Sequence, residues 1–269
     1  MPDPQVPPSP EGVPGAVTDP HSIEAREVAF PGAQAAEIRG YLARPAAPGT
    51  HPGMLVIQDA GGLSDHIQDI TRRIAKLGYV ALAPDLYTRE GGPPPAGDMP
   101  AIMARLFAMS DATALEDLQG AVDFLRSRRD VTGKVGCIGF CMGGRYTLLL
   151  AASSDKLDVA VDCWGGFIDR ATPDEHSTPT RPIPPLELAE KVTCPLMAAI
   201  GAEDQNPSPA IGERLRETLA GMPQETQVDV YEGAGHAFFA DYRPSYRPQA
   251  AAKLWARIVP FLAAHLQDR

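Results

Sequence analysis

Cysteine is scarce in this chain: four in 269 residues. That is too few for a disulfide scaffold, and it points to a reducing compartment. Positive charge is also in deficit, with 24 Lys and Arg against 34 Asp and Glu for a net charge of −10. A nucleic-acid backbone or an anionic membrane selects the opposite sign, so neither is an expected partner. No apolar run approaches ~18 residues, which excludes a membrane-spanning helix. The N-terminus has neither a basic region nor an apolar stretch, so no signal peptide is expected. The glycine pairs Gly61-Gly62 and Gly143-Gly144 lack the spacing of G-x-G-x-x-G or a P-loop, which leaves nucleotide binding without support. Cys137 and Cys141 stand four apart with no Cys-x-x-Cys pair or histidine cluster beside them, so zinc is not expected. The expectation is a soluble, cytoplasmic, monomeric protein that acts on a small molecule.

What the chain does contain is an alternation of strand and helix signals. Hydrophobic residues make up 44% and charged residues 22%, a globular mix with enough apolar surface for a real core. Residues 1–20 hold seven prolines and almost no large apolar side chain, which predicts a flexible N-terminal arm. Residues 21–269 then read as a single domain. Glu27–Phe30 and Glu37–Ala43 predict antiparallel edge strands around a Pro31-Gly32 turn. Met54-Leu55-Val56-Ile57 is a continuous apolar run, as expected of a strand covered on both faces. Ile67, Ile70, Ile74 and Leu77 follow at helical spacing after Ser64 or Asp65, either of which can cap a helix. Further strands are predicted at 79–83, 134–139, 159–163, 196–200 and 227–231, and further helices near 100–109, 112–128, 142–152, 208–220 and 249–266. The stretch 169–190 holds five prolines and reads as a long surface loop. The pattern predicts an α/β fold with a mostly parallel, helix-covered sheet.

One segment carries chemistry. Gly139-Phe140-Cys141-Met142-Gly143-Gly144 lies between a predicted strand and a predicted helix and has the form of a G-x-nucleophile-x-G elbow, with Cys in place of the commoner Ser. Such a turn needs small neighbours, and it sets the nucleophile at a helix N-terminus, where free N–H groups and the dipole favour an anion. Cys137, Cys163 and Cys194 sit in or beside apolar strands and read as small buried hydrophobes. Of the six histidines, His236 alone lies in a Gly-rich loop leaving the last predicted strand, Gly233-Ala234-Gly235-His236. Asp204 follows the penultimate strand, with Glu203 as its competitor. The order Cys141, Asp204, His236 is the nucleophile–acid–histidine order of this fold class. A free thiol has a pKa of about 8.5, so only a few per cent is thiolate at neutral pH. A helix N-terminus contributes about 0.3–1 kcal/mol, less than is needed, so an ion pair with protonated His236 is expected to supply the rest.

On these residues the chain resembles the dienelactone hydrolase (carboxymethylenebutenolidase) family of the α/β-hydrolase fold. The landmarks are Val56-Ile57-Gln58-Asp59, Gly78-Tyr79-Val80-Ala81, Pro84-Asp85-Leu86-Tyr87, the elbow around Cys141, Gly201 with Asp204, and Tyr231 through Phe238. The resemblance implies hydrolysis of a small lactone or ester through a thioester acyl-enzyme, with Cys141 as nucleophile, His236 as base and Asp204 orienting it. It implies an oxyanion hole from the N–H groups of Met142 and Ala60, a carboxylate at Asp59 that modulates the thiol, and no cofactor. The substrate pocket is expected among Tyr87, Arg105, Trp164, Phe238 and Arg243. The arginine that the type members carry four residues after the catalytic histidine is Ala240 here, and their Arg and Tyr on the helical segment 99–106 fall at Met99 and Met103. Arg105, Arg243 and Arg247 are the candidates to hold a substrate carboxylate in their place. A general carboxylesterase or thioesterase, favoured by Ala240, is the alternative within enzymes, and a non-catalytic ligand-binding protein the alternative outside them.

Overall fold

Alternation of side chains along each strand dictates the architecture. In the computed structural model, which describes residues 6–170 and 178–267, the strands are β1 (Ile23–Pro31), β2 (Glu37–Pro45), β3 (His51–Ile57), β4 (Val80–Pro84), β5 (Val131–Phe140), β6 (Val159–Cys163), β7 (Leu196–Gly201) and β8 (Thr226–Tyr231). They form one sheet in the order β1-β2-β4-β3-β5-β6-β7-β8. β2 runs antiparallel to both its neighbours, and the pairs from β4 to β8 are parallel. The helices are α1 (Asp65–Lys76), α2 (Met99–Ala108), α3 (Asp111–Ser127), α4 (Met142–Ser153), α5 (Pro209–Leu219) and α6 (Pro248–Leu266). No helix among the described residues is long and apolar enough to cross a membrane.

The period of two along the strands sorts the core into two layers. Leu55, Ile57, Val80, Leu82, Val135, Cys137, Leu196 and Ile200 face one way and pack with Leu118, Val122 and Leu125 of α3, Leu148 and Leu149 of α4, and Leu215 and Leu219 of α5. Met54, Val56, Ala81, Ala83, Ile138, Phe140 and Met197 face the other way, onto Ile67, Ile70 and Ile74 of α1 and Leu254, Ile258 and Leu262 of α6. Because both faces are covered, these strands carry almost no polar residue, which is why Met54–Ile57 reads as a continuous apolar run. Ser64 caps α1, accepting from the Ile67 N–H at 3.4 Å.

Over its described part the proline-rich arm lies docked on the domain. Val17 is fully buried in a cluster with Ile23, Tyr41, Ala43 and Ala75. Ser9 donates to Asp69 at 2.6 Å and accepts from the Val17 N–H at 2.9 Å, and the Lys76 ammonium binds the Ala16 carbonyl. One valine and one serine suffice because proline has little conformational entropy to lose on ordering. Residues 1–5 of that arm lie outside the described residues. The expectation of a surface loop at 169–190 is corrected in part; 171–177 lie outside the described residues, and the stretch 178–184 is irregular and exposes Pro179, Pro182 and Ile183. Pro185–Lys191 forms a 3-10 helix with Pro185, Leu186 and Ala189 buried, tied down by a 2.8 Å bond from the Leu186 N–H to the Ile168 carbonyl.

Candidate active site

The parallel strands deliver their connecting loops to one end of the sheet, and the three residues of interest leave the ends of β5, β7 and β8. Cys141 is the one residue between β5 and α4, with φ 54° and ψ −110°. This backbone conformation costs a non-glycine residue about 1–3 kcal/mol. It persists because its surroundings fix both ends: the Cys141 N–H donates to the Cys163 carbonyl at 3.0 Å, and its carbonyl accepts from the Arg145 N–H at 3.1 Å. The glycines make the turn possible. A Cβ on Gly139 would lie 2.1 Å from the Gly143 carbonyl oxygen, and one on Gly143 would lie 2.2 Å from that of Ile57. Trp164, Phe167 and Ala237 also have positive φ, between 46° and 60°, so backbone strain gathers around this end of the sheet.

Asp204, 3% exposed, accepts from the Asn206 N–H at 2.9 Å through Oδ1. Its other oxygen, Oδ2, lies 2.8 Å from His236 Nδ1. Glu203 is exposed, which leaves Asp204 as the acid on the histidine. Cys141 stands on the other side of the imidazole. Burial is the largest single influence on His236 and lowers its pKa, but the hydrogen bonds and charges of Asp204 and Cys141 together outweigh it. The result is a pKa raised to about 10, so the ring is held as imidazolium.

Met142 is the first residue of α4, where an N–H has no acceptor within the helix. The Ala60 N–H has no backbone acceptor among the described residues. Both residues line a cavity of about 330 Å³ together with Cys141, Asp204, His236, Asp59 and Arg243. The apolar wall of that cavity comes from α2 (Met99, Ile102, Met103, Leu106) and from Phe167. Asp59 lines the cavity beside Cys141. It accepts from the Gly61 N–H at 2.7 Å and faces Arg243 Nη2 at 3.4 Å, with no hydrogen bond to the Cys141 thiol among the described residues.

Among the expected pocket residues, only Arg243 reaches the cavity wall. Tyr87 is fully buried beneath it, donating to the Ala60 carbonyl at 3.1 Å, and so orients the Ala60 peptide without meeting the cavity. Trp164 and Phe238 are buried against each other at 4.7 Å between ring centres. Both lie in the loops beyond β6 and β8 and belong to the core on the α1–α6 side of the sheet. Arg105 donates to the Gly92 carbonyl at 3.2 Å and stacks on Tyr87. Arg247 binds the carbonyls of Pro244 and Tyr246. The charged cavity residue that the sequence reading misses is Arg181. It sits in a proline-rich stretch that carries no periodicity to place it.

Comparison with known proteins places the fold and the family. The model of the dienelactone hydrolase family matches residues 38–266. A Methylorubrum extorquens protein provisionally named a carboxymethylenebutenolidase is 36% identical over 243 residues, covering 90% of this chain and 81% of that one. A Bradyrhizobium protein provisionally named a 2-oxo-3-(5-oxofuran-2-ylidene)propanoate lactonase is 31% identical, over 84% of this chain and 89% of its own. The crystal structure of a Klebsiella pneumoniae protein, provisionally a dienelactone hydrolase, superposes with a TM-score of 0.82 at 32% identity. It covers 90% of this chain and 98% of its own. The chain belongs to the dienelactone hydrolase family.

Proposed function

We propose that this chain hydrolyses a small lactone or ester through a Cys141–His236–Asp204 triad and a thioester acyl-enzyme. The observation that carries this reading is the strained Cys141 at the N-terminus of α4, in one cavity with a His236 already bonded to Asp204 at 2.8 Å. In the resting site the His236 imidazolium pairs with the Cys141 thiolate, and Asp59 balances Arg243. The thiolate sulfur attacks the substrate carbonyl carbon. The Met142 and Ala60 N–H groups receive the oxyanion, a stabilisation of about 3 kcal/mol per donor in comparable sites. Collapse of the tetrahedral intermediate breaks the acyl C–O bond, and the His236 proton passes to the departing oxygen.

The second half needs His236 as a base rather than an acid. The charge of Cys141 is among the influences that raise the His236 pKa, and acylation removes it. The imidazole therefore moves towards neutrality at the step in which it must take a proton from water. Hydroxide equivalent attacks the thioester, the C–S bond breaks, and the proton returns the site to thiolate and imidazolium.

The test is turnover by the purified chain of a dienelactone and of an uncharged aryl acetate, before and after stoichiometric alkylation of Cys141 with iodoacetamide. Hydrolysis of at least one ester, abolished by alkylation, is the expected result. Turnover that survives full alkylation removes Cys141 from the mechanism. The apolar wall of Met99, Ile102, Met103 and Leu106 favours a second reading, a general carboxylesterase, for which the aryl acetate is the better substrate.

A further inference from the structure

Asn206 brings an uncommitted hydrogen-bond donor to the cavity at Cys141. It stands two residues after the triad acid, in the loop that leaves β7, and lines that cavity. Its backbone N–H donates to Asp204 Oδ1 at 2.9 Å, and its side-chain Oδ1 accepts from the Phe167 N–H at 2.8 Å. A peptide N–H can only donate, so it fixes the oxygen end of the amide against Phe167 and turns the NH2 end, Nδ2, away. Phe167 is itself held. Its carbonyl accepts from Arg145 Nη1 at 2.6 Å, and its ring meets that of Phe107 on α2 edge-on at 5.0 Å. The amide is therefore set in place before any ligand arrives. Nδ2 makes no hydrogen bond to any described residue and, unlike Arg181 Nε and Nη2, is not sealed from solvent.

The other polar side chains of the cavity are engaged. Asp59 accepts from the Gly61 N–H and faces Arg243, and Arg243 Nε donates to the Tyr242 hydroxyl at 2.8 Å. Gln205 is exposed and turns Nε2 to the Glu203 carbonyl at 3.3 Å. Arg243, the accessible cation, is thus balanced by Asp59, and the chain as a whole carries a net charge of −10, so an anion gains little here. An uncharged oxygen gains a hydrogen bond from Nδ2 and leaves no charge to desolvate. A purely apolar group covers the donor and leaves it unpaired, which costs more than a missing contact. A site with a fixed donor therefore discriminates against ligands that lack the matching acceptor.

Resting on the hydrolase reading above, we propose that Asn206 Nδ2 donates to an uncharged oxygen on the acyl portion of the substrate. The acyl chain is the part with apolar surface to bury, and Phe167, which anchors the amide, belongs to the apolar wall with Met103 and Leu106. The preferred class is a small uncharged ester or lactone whose acyl chain carries an ether, hydroxyl or oxo oxygen. Asn206 is its specificity-determining residue.

The experiment moves one ether oxygen along the acyl chain. The 4-nitrophenyl esters of methoxyacetate, 3-methoxypropanoate and 4-methoxybutanoate are each compared with the carbon isostere: butanoate, pentanoate and hexanoate. Each kcat/KM is divided by the ester's own hydroxide-catalysed rate, which removes the inductive effect of the oxygen. In wild type at least one methoxy ester is expected to match or exceed its isostere. In Asn206→Asp that ratio is expected to fall about 3- to 10-fold, the worth of one neutral hydrogen bond. The aspartate keeps an acceptor for the Phe167 N–H and lacks only the donor, and its charge acts alike on two uncharged esters. Asn206→Ala is expected to lower the ratio by a similar factor. Ratios unchanged at all three positions in a folded Asn206→Asp confine Asn206 to holding Phe167 and overturn the proposal. Should neither variant fold, wild type decides, and carbon isosteres that lead at every position overturn the proposal. The two readings fail separately: turnover of none of the six esters defeats the hydrolase reading, while turnover with unchanged ratios defeats only the role of Asn206.

Discussion

Cys141→Ala is expected to lower kcat/KM for ester or lactone hydrolysis by about 10⁵–10⁶-fold, with a thermal transition close to that of wild type. The magnitude follows from the way triads act as a unit: without the nucleophile, only the oxyanion hole and substrate binding remain, together worth about 10³–10⁴ over water. The structural argument for a preserved fold is that the elbow is fixed by its backbone. The bonds of the Cys141 N–H to Cys163 and of its carbonyl to Arg145 survive the change, and the close approach of Gly139 and Gly143 to their neighbours is untouched. A folded Cys141→Ala protein that keeps more than a few per cent of wild-type turnover contradicts the assignment of the nucleophile.

Asp204→Asn is expected to be the next most damaging change, lowering kcat/KM by about 10⁴-fold, because an amide presents the wrong partner to Nδ1 and holds the imidazole in the wrong tautomer. It also shifts a pH limb. The raised pKa of His236, about 10, is what burial leaves after Asp204 and Cys141 have opposed it. A raised folded-state pKa stabilises the folded protein fully below the unfolded value of about 6.5. That stabilisation disappears as pH rises through the folded value of about 10, so the sign is a loss on the alkaline side. The same titration removes the imidazolium that protonates the departing oxygen. For an alkyl ester, whose leaving group needs that proton, wild-type kcat/KM is therefore expected to fall above about pH 10. In Asp204→Asn that limb is expected at distinctly lower pH, because burial is then opposed by Cys141 alone. An alkaline limb that stays in place in Asp204→Asn assigns the titration to another group.

Much of this is legible in the residues before any coordinates. The two-layer core is readable because buried parallel strands carry mostly apolar side chains, and the strand Val159–Cys163 is readable to the residue although Asp162 lies buried within it. The elbow is readable because its geometry excludes side chains at Gly139 and Gly143. Local chemistry of that kind leaves a mark in local sequence. The cavity wall does not. Trp164 and Phe238 follow the right strands, yet the loops that carry them turn both side chains into the core behind the site. Tyr87 stands one layer too deep, holding Ala60. Arg243 and Asp59 are 184 residues apart and meet only through the fold. Arg181 lies 3.7 Å from Asp111, which in turn binds Arg145 at 2.6 Å, contacts that no spacing along the chain encodes. The docking of the N-terminal arm through Val17 and Ser9 is hidden in the same way, since composition predicts only that prolines form no regular element.

The central claim is covalent: an acyl group passes through the sulfur of Cys141. The most direct measurement is mass spectrometry of the chain quenched in acid within milliseconds of mixing with 4-nitrophenyl pentanoate, at a substrate concentration that saturates turnover. The account predicts a pentanoyl adduct on the peptide containing Cys141, removed by neutral hydroxylamine as a thioester must be, and absent from Cys141→Ala. A protein that turns the ester over with no adduct on Cys141, or with the adduct on another residue, contradicts it.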